Sequence, residues 1–154
     1  VAALKRREVT RAYWALVEGV PDPPRATIDA PIGRHPTRRT RFSVDAAGKP
    51  AVSHYDVEED LGRAARLTVR LETGRTHQVR VHLSAIGHAV VGDAAYGASA
   101  KLADELGLNR PALHARRLEL IHPVTGVPIA VEEPIPADLA AACASLRGSS
   151  PPRT

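Results

Sequence analysis

Apolar and polar positions along this chain alternate in short runs and change period once. Thr10 to Glu18 carries Tyr13, Ala15 and Val17 on one face and Trp14 and Leu16 on the other, and Gly19 closes it, which predicts a strand. Before it, Val1 to Arg7 has apolar residues first and bases last, as at the C-terminal end of a helix. Pro21 to Pro24 is a connector, because proline lacks the N–H a sheet needs. Short strands are predicted at Ala26–Ile32, Arg39–Val44 and Ala51–Val57, parted by turns at Gly33, Ala47–Pro50 and Asp60–Gly62. Ala65 to Glu72 alternates again, with Leu67, Val69 and Leu71 facing inward. From Thr73 the period lengthens: Val79, His82, Leu83 and Ile86 share one helical stripe, with Thr73 as N-cap and Gly87 just past the end. Then come a strand at Ala89–Val91, a Gly92-Asp93 turn and a helix over Lys101–Leu106. A strand at Leu113–Ile121 turns at Pro123–Gly126 into Val127–Val131. Pro136 opens a last helix carrying Leu139, Ala142 and Leu146.

No internal repeat interrupts this order. It predicts an α+β fold, a mixed, mainly antiparallel sheet with helices packed on it. One unit is expected over residues 1–147, followed by a Ser/Pro-rich disordered tail at 148–154.

Composition narrows the class. With 154 residues, 44% hydrophobic and 25% charged, the chain is long enough for a core and too apolar for disorder. No apolar run approaches the roughly 18 residues of a membrane span. The single Cys143 excludes an internal disulfide, fits a cytoplasmic location and reads as a buried, inert thiol. The charge of +4 is almost all arginine, since Lys5, Lys49 and Lys101 are the only lysines. Arginine forks suit phosphate and stack on bases, which favours an RNA partner, although GC-rich coding accounts for the same bias.

The densest chemistry lies in Leu71-Glu-Thr-Gly-Arg-Thr-His-Gln-Val-Arg-Val-His-Leu, where a strand end, a glycine turn and a helix start meet. Such a helix start beside arginines suits an anion. His77 and Arg80 share a helix face at a spacing of three, whereas His77 and His82, five apart, do not, so a two-histidine metal pair is not expected. No CxxC, HExxH, G-x-S-x-G, Walker or G-x-G-x-x-G pattern occurs.

Beyond these residues, the opening RAYWALVEG, LETGRTHQVRVHLSAIGHAVVGDAAYG and the later RPALHARRLELIHPVTG resemble, in that order along the chain, the RluA/RluD-like family of RNA pseudouridine synthases. The resemblance implies isomerisation of uridine in RNA, chiefly large-subunit ribosomal RNA, with no metal and no cofactor, by an enzyme that works as a monomer when complete. The base is detached at N1, turned and rejoined through C5 after the nucleotide is flipped from its stack. By motif position, Tyr13 matches the tyrosine that packs on the base and helps remove the C5 proton. Arg80 matches the arginine that pairs with the catalytic aspartate, and Leu113 an apolar wall of the pocket. Arg75, Thr76, His77, Gln78 and His114 fall in the same blocks and are expected to bind substrate. Read as residue types alone, Tyr13 and Leu113 are equally core residues on strands. Arg80 is a solvated helix position, His114 and His122 hold backbone groups, and Asp93 stabilises a turn.

One block of the family is absent. Its essential aspartate sits in a His-Arg-Leu-Asp context upstream of the tyrosine strand, and none of the aspartates at 22, 29, 45, 56, 60, 93, 104 and 138 does. The expectation is therefore a fragment that begins partway through a larger domain, inactive alone, with Arg80 lacking a carboxylate and the sheet showing an open edge and an uncovered apolar face. The alternative is a non-catalytic remnant that still grips RNA.

Overall fold

In the computed structural model, residues 9–149 are described. The helix end expected at Val1–Arg7 lies outside them. Eight strands form: β1 (Val9–Glu18), β2 (Arg25–Asp29), β3 (Ile32–Arg34), β4 (Phe42–Val44), β5 (Val52–Asp60), β6 (Ala64–Leu71), β7 (Leu113–Ile121) and β8 (Pro128–Glu132). Among the described residues three helices accompany them: α1 (Gln78–Ala85), α2 (Ala100–Glu105) and α3 (Ala137–Ser149), with a single 3-10 turn at Ala94–Tyr96. Six strands make one sheet in the order β2-β5-β6-β1-β7-β8, and β3 and β4 make a separate hairpin. Every strand pair is antiparallel. The α+β class and the mainly antiparallel sheet expected from the sequence are what is observed.

β1 is paired along both edges, with β6 on one side and β7 on the other. Its Trp14, Ala15, Leu16 and Val17 are all fully buried, so both faces of the strand are covered where simple alternation would leave one wet. The core grows outward from there through Leu67 and Val69 of β6, Val79 and Leu83 of α1, and Leu139, Ala142, Cys143 and Leu146 of α3. Cys143 sits in that core, and burial pushes its thiol up from the ordinary value, as expected of an inert cysteine. α3 runs through Gly148 and Ser149, two residues past the point where composition placed the start of a disordered tail.

Other boundaries move by a few residues. The run expected as one strand at Ala26–Ile32 is split between β2 and β3, because the hairpin leaves the sheet at Ala30-Pro31. Ala89–Val91 forms only an isolated bridge, Val90 to Val17. The β7–β8 end of the sheet is the least covered: Leu118 and Ile121 of β7 and Val131 of β8 remain substantially exposed.

Candidate functional site

The turn between β6 and α1 is built by side chains. Thr73 was expected to cap a helix beginning beside it, but α1 starts at Gln78, four residues beyond the first position such a cap implies. The intervening backbone is held by the buried amide of Gln78. Its Oε1 accepts from the Thr73 hydroxyl (2.7 Å) and the Arg75 N–H (3.0 Å). Its Nε2 donates to the Val52 carbonyl (3.0 Å) and the Ser53 hydroxyl (2.9 Å). All four hydrogen-bonding positions of the amide are thus used. The Thr73 hydroxyl also accepts from the Val52 N–H (3.0 Å), so the turn is stitched to β5 rather than wound into the helix.

His77 ends this turn in the left-handed region at φ 56°, the only residue other than glycine there among the described residues. Its Nδ1 lies 2.7 Å from the Tyr96 hydroxyl, and its ring meets Phe42 and Tyr96 edge-on. That hydroxyl also accepts the Phe42 N–H (3.1 Å), tying the β3–β4 hairpin to the same point. Burial, reinforced by nearby Arg80, lowers the His77 pKa, which favours the neutral ring.

Arg80, in the first turn of α1, reaches Asp93 through two parallel bonds, Nε and an Nη each 2.8 Å from a carboxylate oxygen. Its guanidinium also lies 4.8 Å from the centre of the Tyr96 ring. The hydrogen bond to Asp93 raises the Arg80 pKa further. The expectation that Arg80 lacks a carboxylate is therefore corrected: Asp93 is its partner. Asp93 itself is almost wholly buried, and its role is not confined to the turn it sits in.

These elements enclose a cleft of about 220 Å³ lined by Arg11, Tyr13, Leu71, Gly74, Arg75, His77, Gln78, Val79, Arg80 and Leu113. Six of the residues singled out by motif thus share one cavity although they come from three stretches of sequence. Register accounts for part of this. Tyr13 faces Ala115 on β7 while Ala15 faces Leu113, so Tyr13 and Leu113 are diagonal neighbours. A bulge opposite Ala12 and Tyr13, where Arg116 is the extra residue of β7, sets that register.

Two residues expected at the site are not on this cavity. Thr76 lines an adjoining groove of about 520 Å³ with Arg34, Lys49, Gly74 and Arg75. His114 follows Leu113 on β7 and so takes the opposite face, where its Nε2 is buried without a hydrogen-bond partner. Two participants went unnoticed in the sequence: Arg11, two positions before Tyr13, and Asp93 as the partner of Arg80. The spacing Arg-x-Tyr on a strand was the available signal for the first. Among the described residues no group of three or more His, Cys, Asp or Glu side chains could hold a metal ion.

Comparison with known proteins points one way. The family described as RNA pseudouridylate synthase matches residues 1–85. An uncharacterised RNA pseudouridine synthase of Mycobacterium bovis is 49% identical over 146 residues, 95% of this chain and 47% of the relative. Ribosomal large subunit pseudouridine synthase D of Vibrio parahaemolyticus is 44% identical over 96% of this chain and 48% of its own length. The chain spans about half the length of the curated relatives it matches. Human RNA pseudouridylate synthase domain containing 1 superposes with a TM-score of 0.74 at 30% identity, over 99% of this chain and 71% of that one.

Proposed function

Because this chain belongs to the RNA pseudouridylate synthase family, we propose that its cleft receives a uridine flipped out of RNA for conversion to pseudouridine. The observation that carries this reading is the convergence of Tyr13, Arg75, His77, Gln78, Arg80 and Leu113 on one cavity. Tyr13 offers a ring face on which a base stacks, and Leu113 keeps water from the other side. In the reaction the N1–C1′ bond breaks, the base turns, a C5–C1′ bond forms and the C5 proton leaves while N1 gains one. Tyr13 is the group assigned to take the C5 proton. The names of the relatives support large-subunit ribosomal RNA as the substrate class, and an arginine-rich charge of +4 supports RNA in general. The location assigned is the cytoplasm, and the complete enzyme is assigned as a monomer.

Among the described residues none that lines the cleft is an acid. Asp93, the nearby carboxylate, is bound by Arg80 on both oxygens. The chain alone is therefore assigned RNA binding without turnover, the aspartate that attacks the nucleoside having to come from elsewhere. The test is to incubate the chain with a large-subunit ribosomal RNA transcript tritiated at uridine C5. RNA is retained on a filter with a steep salt dependence and no tritium is released. Tritium release in proportion to the chain overturns the inactivity. Failure to retain RNA at low salt overturns the functional reading itself. The same lack of an acid favours a second reading, a remnant that holds RNA and never supports chemistry. A His-Arg-Leu-Asp block encoded in frame upstream of Val1 decides against it.

A further inference from the structure

We propose that Arg11 is the phosphate-binding residue of the cleft, taking a phosphate of the bound nucleotide. The inference rests on the RNA reading above and adds a residue to it. Arg11 lies two positions before Tyr13 on β1, so the two side chains leave the same face of the strand, and both line the cleft. Its partner across the sheet is Leu71, the last residue of β6, and the following turn folds back over the guanidinium. At Gly74 a Cβ atom would stand 2.2 Å from Nη1 and 2.6 Å from Nη2 of Arg11. Glycine at 74 is thus the space in which the Arg11 head sits, a cradle that any other residue would fill.

That head has no counter-ion among the described residues, and its Nε is buried without a hydrogen-bond partner. Several other arginines of the fold are matched: Arg80 with Asp93, Arg66 and Arg147 with Glu59, Arg110 with Asp138. A half-buried guanidinium that faces a cavity without an acid is an oxyanion site in waiting. Arg75 borders the same cavity and spends its Nε on the Pro50 carbonyl, leaving its terminal nitrogens for the same ligand. Arg80 is neutralised by Asp93 and adds little net charge. A phosphate, with several acceptor oxygens, suits two convergent guanidinium groups better than a single carboxylate does, and RNA carries one on each side of every nucleoside.

The test compares binding of uridine and uridine 5′-monophosphate to the full chain by chemical-shift titration. The monophosphate binds about tenfold more tightly in the native protein, as expected of one charged hydrogen-bonded pair. Arg11→Gln removes that increment and leaves uridine affinity unchanged, and Gly74→Ala, which pushes the head aside, does the same. Lys101→Gln, on the exposed face of α2, changes neither. Equal affinity for the two ligands, no binding of the monophosphate, or an increment that survives Arg11→Gln overturns the proposal. A parallel filter titration with the ribosomal RNA transcript separates the two levels. Native and Arg11→Gln chains binding RNA equally overturns the role of Arg11 alone, whereas binding by neither overturns the RNA reading beneath it.

Discussion

Arg80 and Asp93 are thirteen residues apart and hold each other through both carboxylate oxygens, with Asp93 at 1% exposure. A pair so placed makes its own partners dependent, because removing one member strands a charge out of water. Arg80→Gln is expected to lower unfolding free energy by about 3–5 kcal/mol, read as a fall in the urea midpoint. Adding Asp93→Asn should restore a large part of that loss, and a double variant no more stable than the single one would contradict the pairing. This pair could not be read from local pattern, and Arg11 only from its place two positions before Tyr13 on a strand. Asp93 follows a glycine and looks like a turn residue, and Arg11 occupies a polar position in an alternating strand that reads as facing water. Tyr13, Arg75, His77, Gln78 and Leu113 were legible because a motif names them, not because periodicity does.

Some element boundaries were legible in the strand pattern, and others failed where side chains replace backbone bonding. β7 begins and ends at the expected residues, Leu113 and Ile121. α1 begins late because Gln78 supplies, from within the helix, the contacts that the Thr73–His77 backbone would otherwise find in a further helical turn. Gln78→Ala should therefore loosen the turn before it loosens the sheet. The Arg75 amide, which loses its acceptor, is expected to exchange with solvent at least about tenfold faster. The Trp14 amide at the centre of the sheet should exchange as before. Hydrogen-exchange mass spectrometry or NMR distinguishes the two, and equal acceleration at both sites would mean that the amide supports the whole fold instead. His82 serves the neighbouring hairpin in a similar way. Its Nε2 donates to the Ala30 carbonyl (2.9 Å) and its Nδ1 meets the Ser53 hydroxyl (2.8 Å), fixing the point where the chain leaves β2.

For the whole molecule these histidines set a pH response. His82 is fully buried, and burial lowers its pKa below the ordinary 6.5; His77 is lowered for the same leading reason. The unfolded chain then binds more protons than the folded one just below pH 6.5, so stability rises with pH there and is lost on acidification. Asp56, Glu59 and Asp138, all lowered from ordinary values of 4.5 or less, weaken the fold only at still lower pH. The unfolding free energy is expected to fall between pH 7 and pH 5.5 by an amount on the order of 1 kcal/mol, read as a lower urea midpoint, and His82→Gln should flatten the slope. A midpoint independent of pH over that interval would exclude the buried neutral ring. The order of the sheet is the part of the architecture that sequence could not yield. β1 lies between β6 and β7, whose residues come more than forty positions later, and no local signal encodes such pairing.

The extra residue in β7 opposite Tyr13 has a consequence for how this surface tolerates change. Side chains flip from one side of a strand to the other at every step, so deleting Arg116 would join Ala115 to Arg117 with every facing kept, whereas a regular ladder that retained Arg116 would turn one half of β7 over. Either Leu113 would swing out of the cleft or Arg117 and Glu119 would exchange sides with Leu118 and Leu120. The irregularity lets one strand serve a cavity at its start and a different neighbour, β8, at its end. A protein redesigned here for a more ideal sheet with Arg116 retained would gain order and lose its wall.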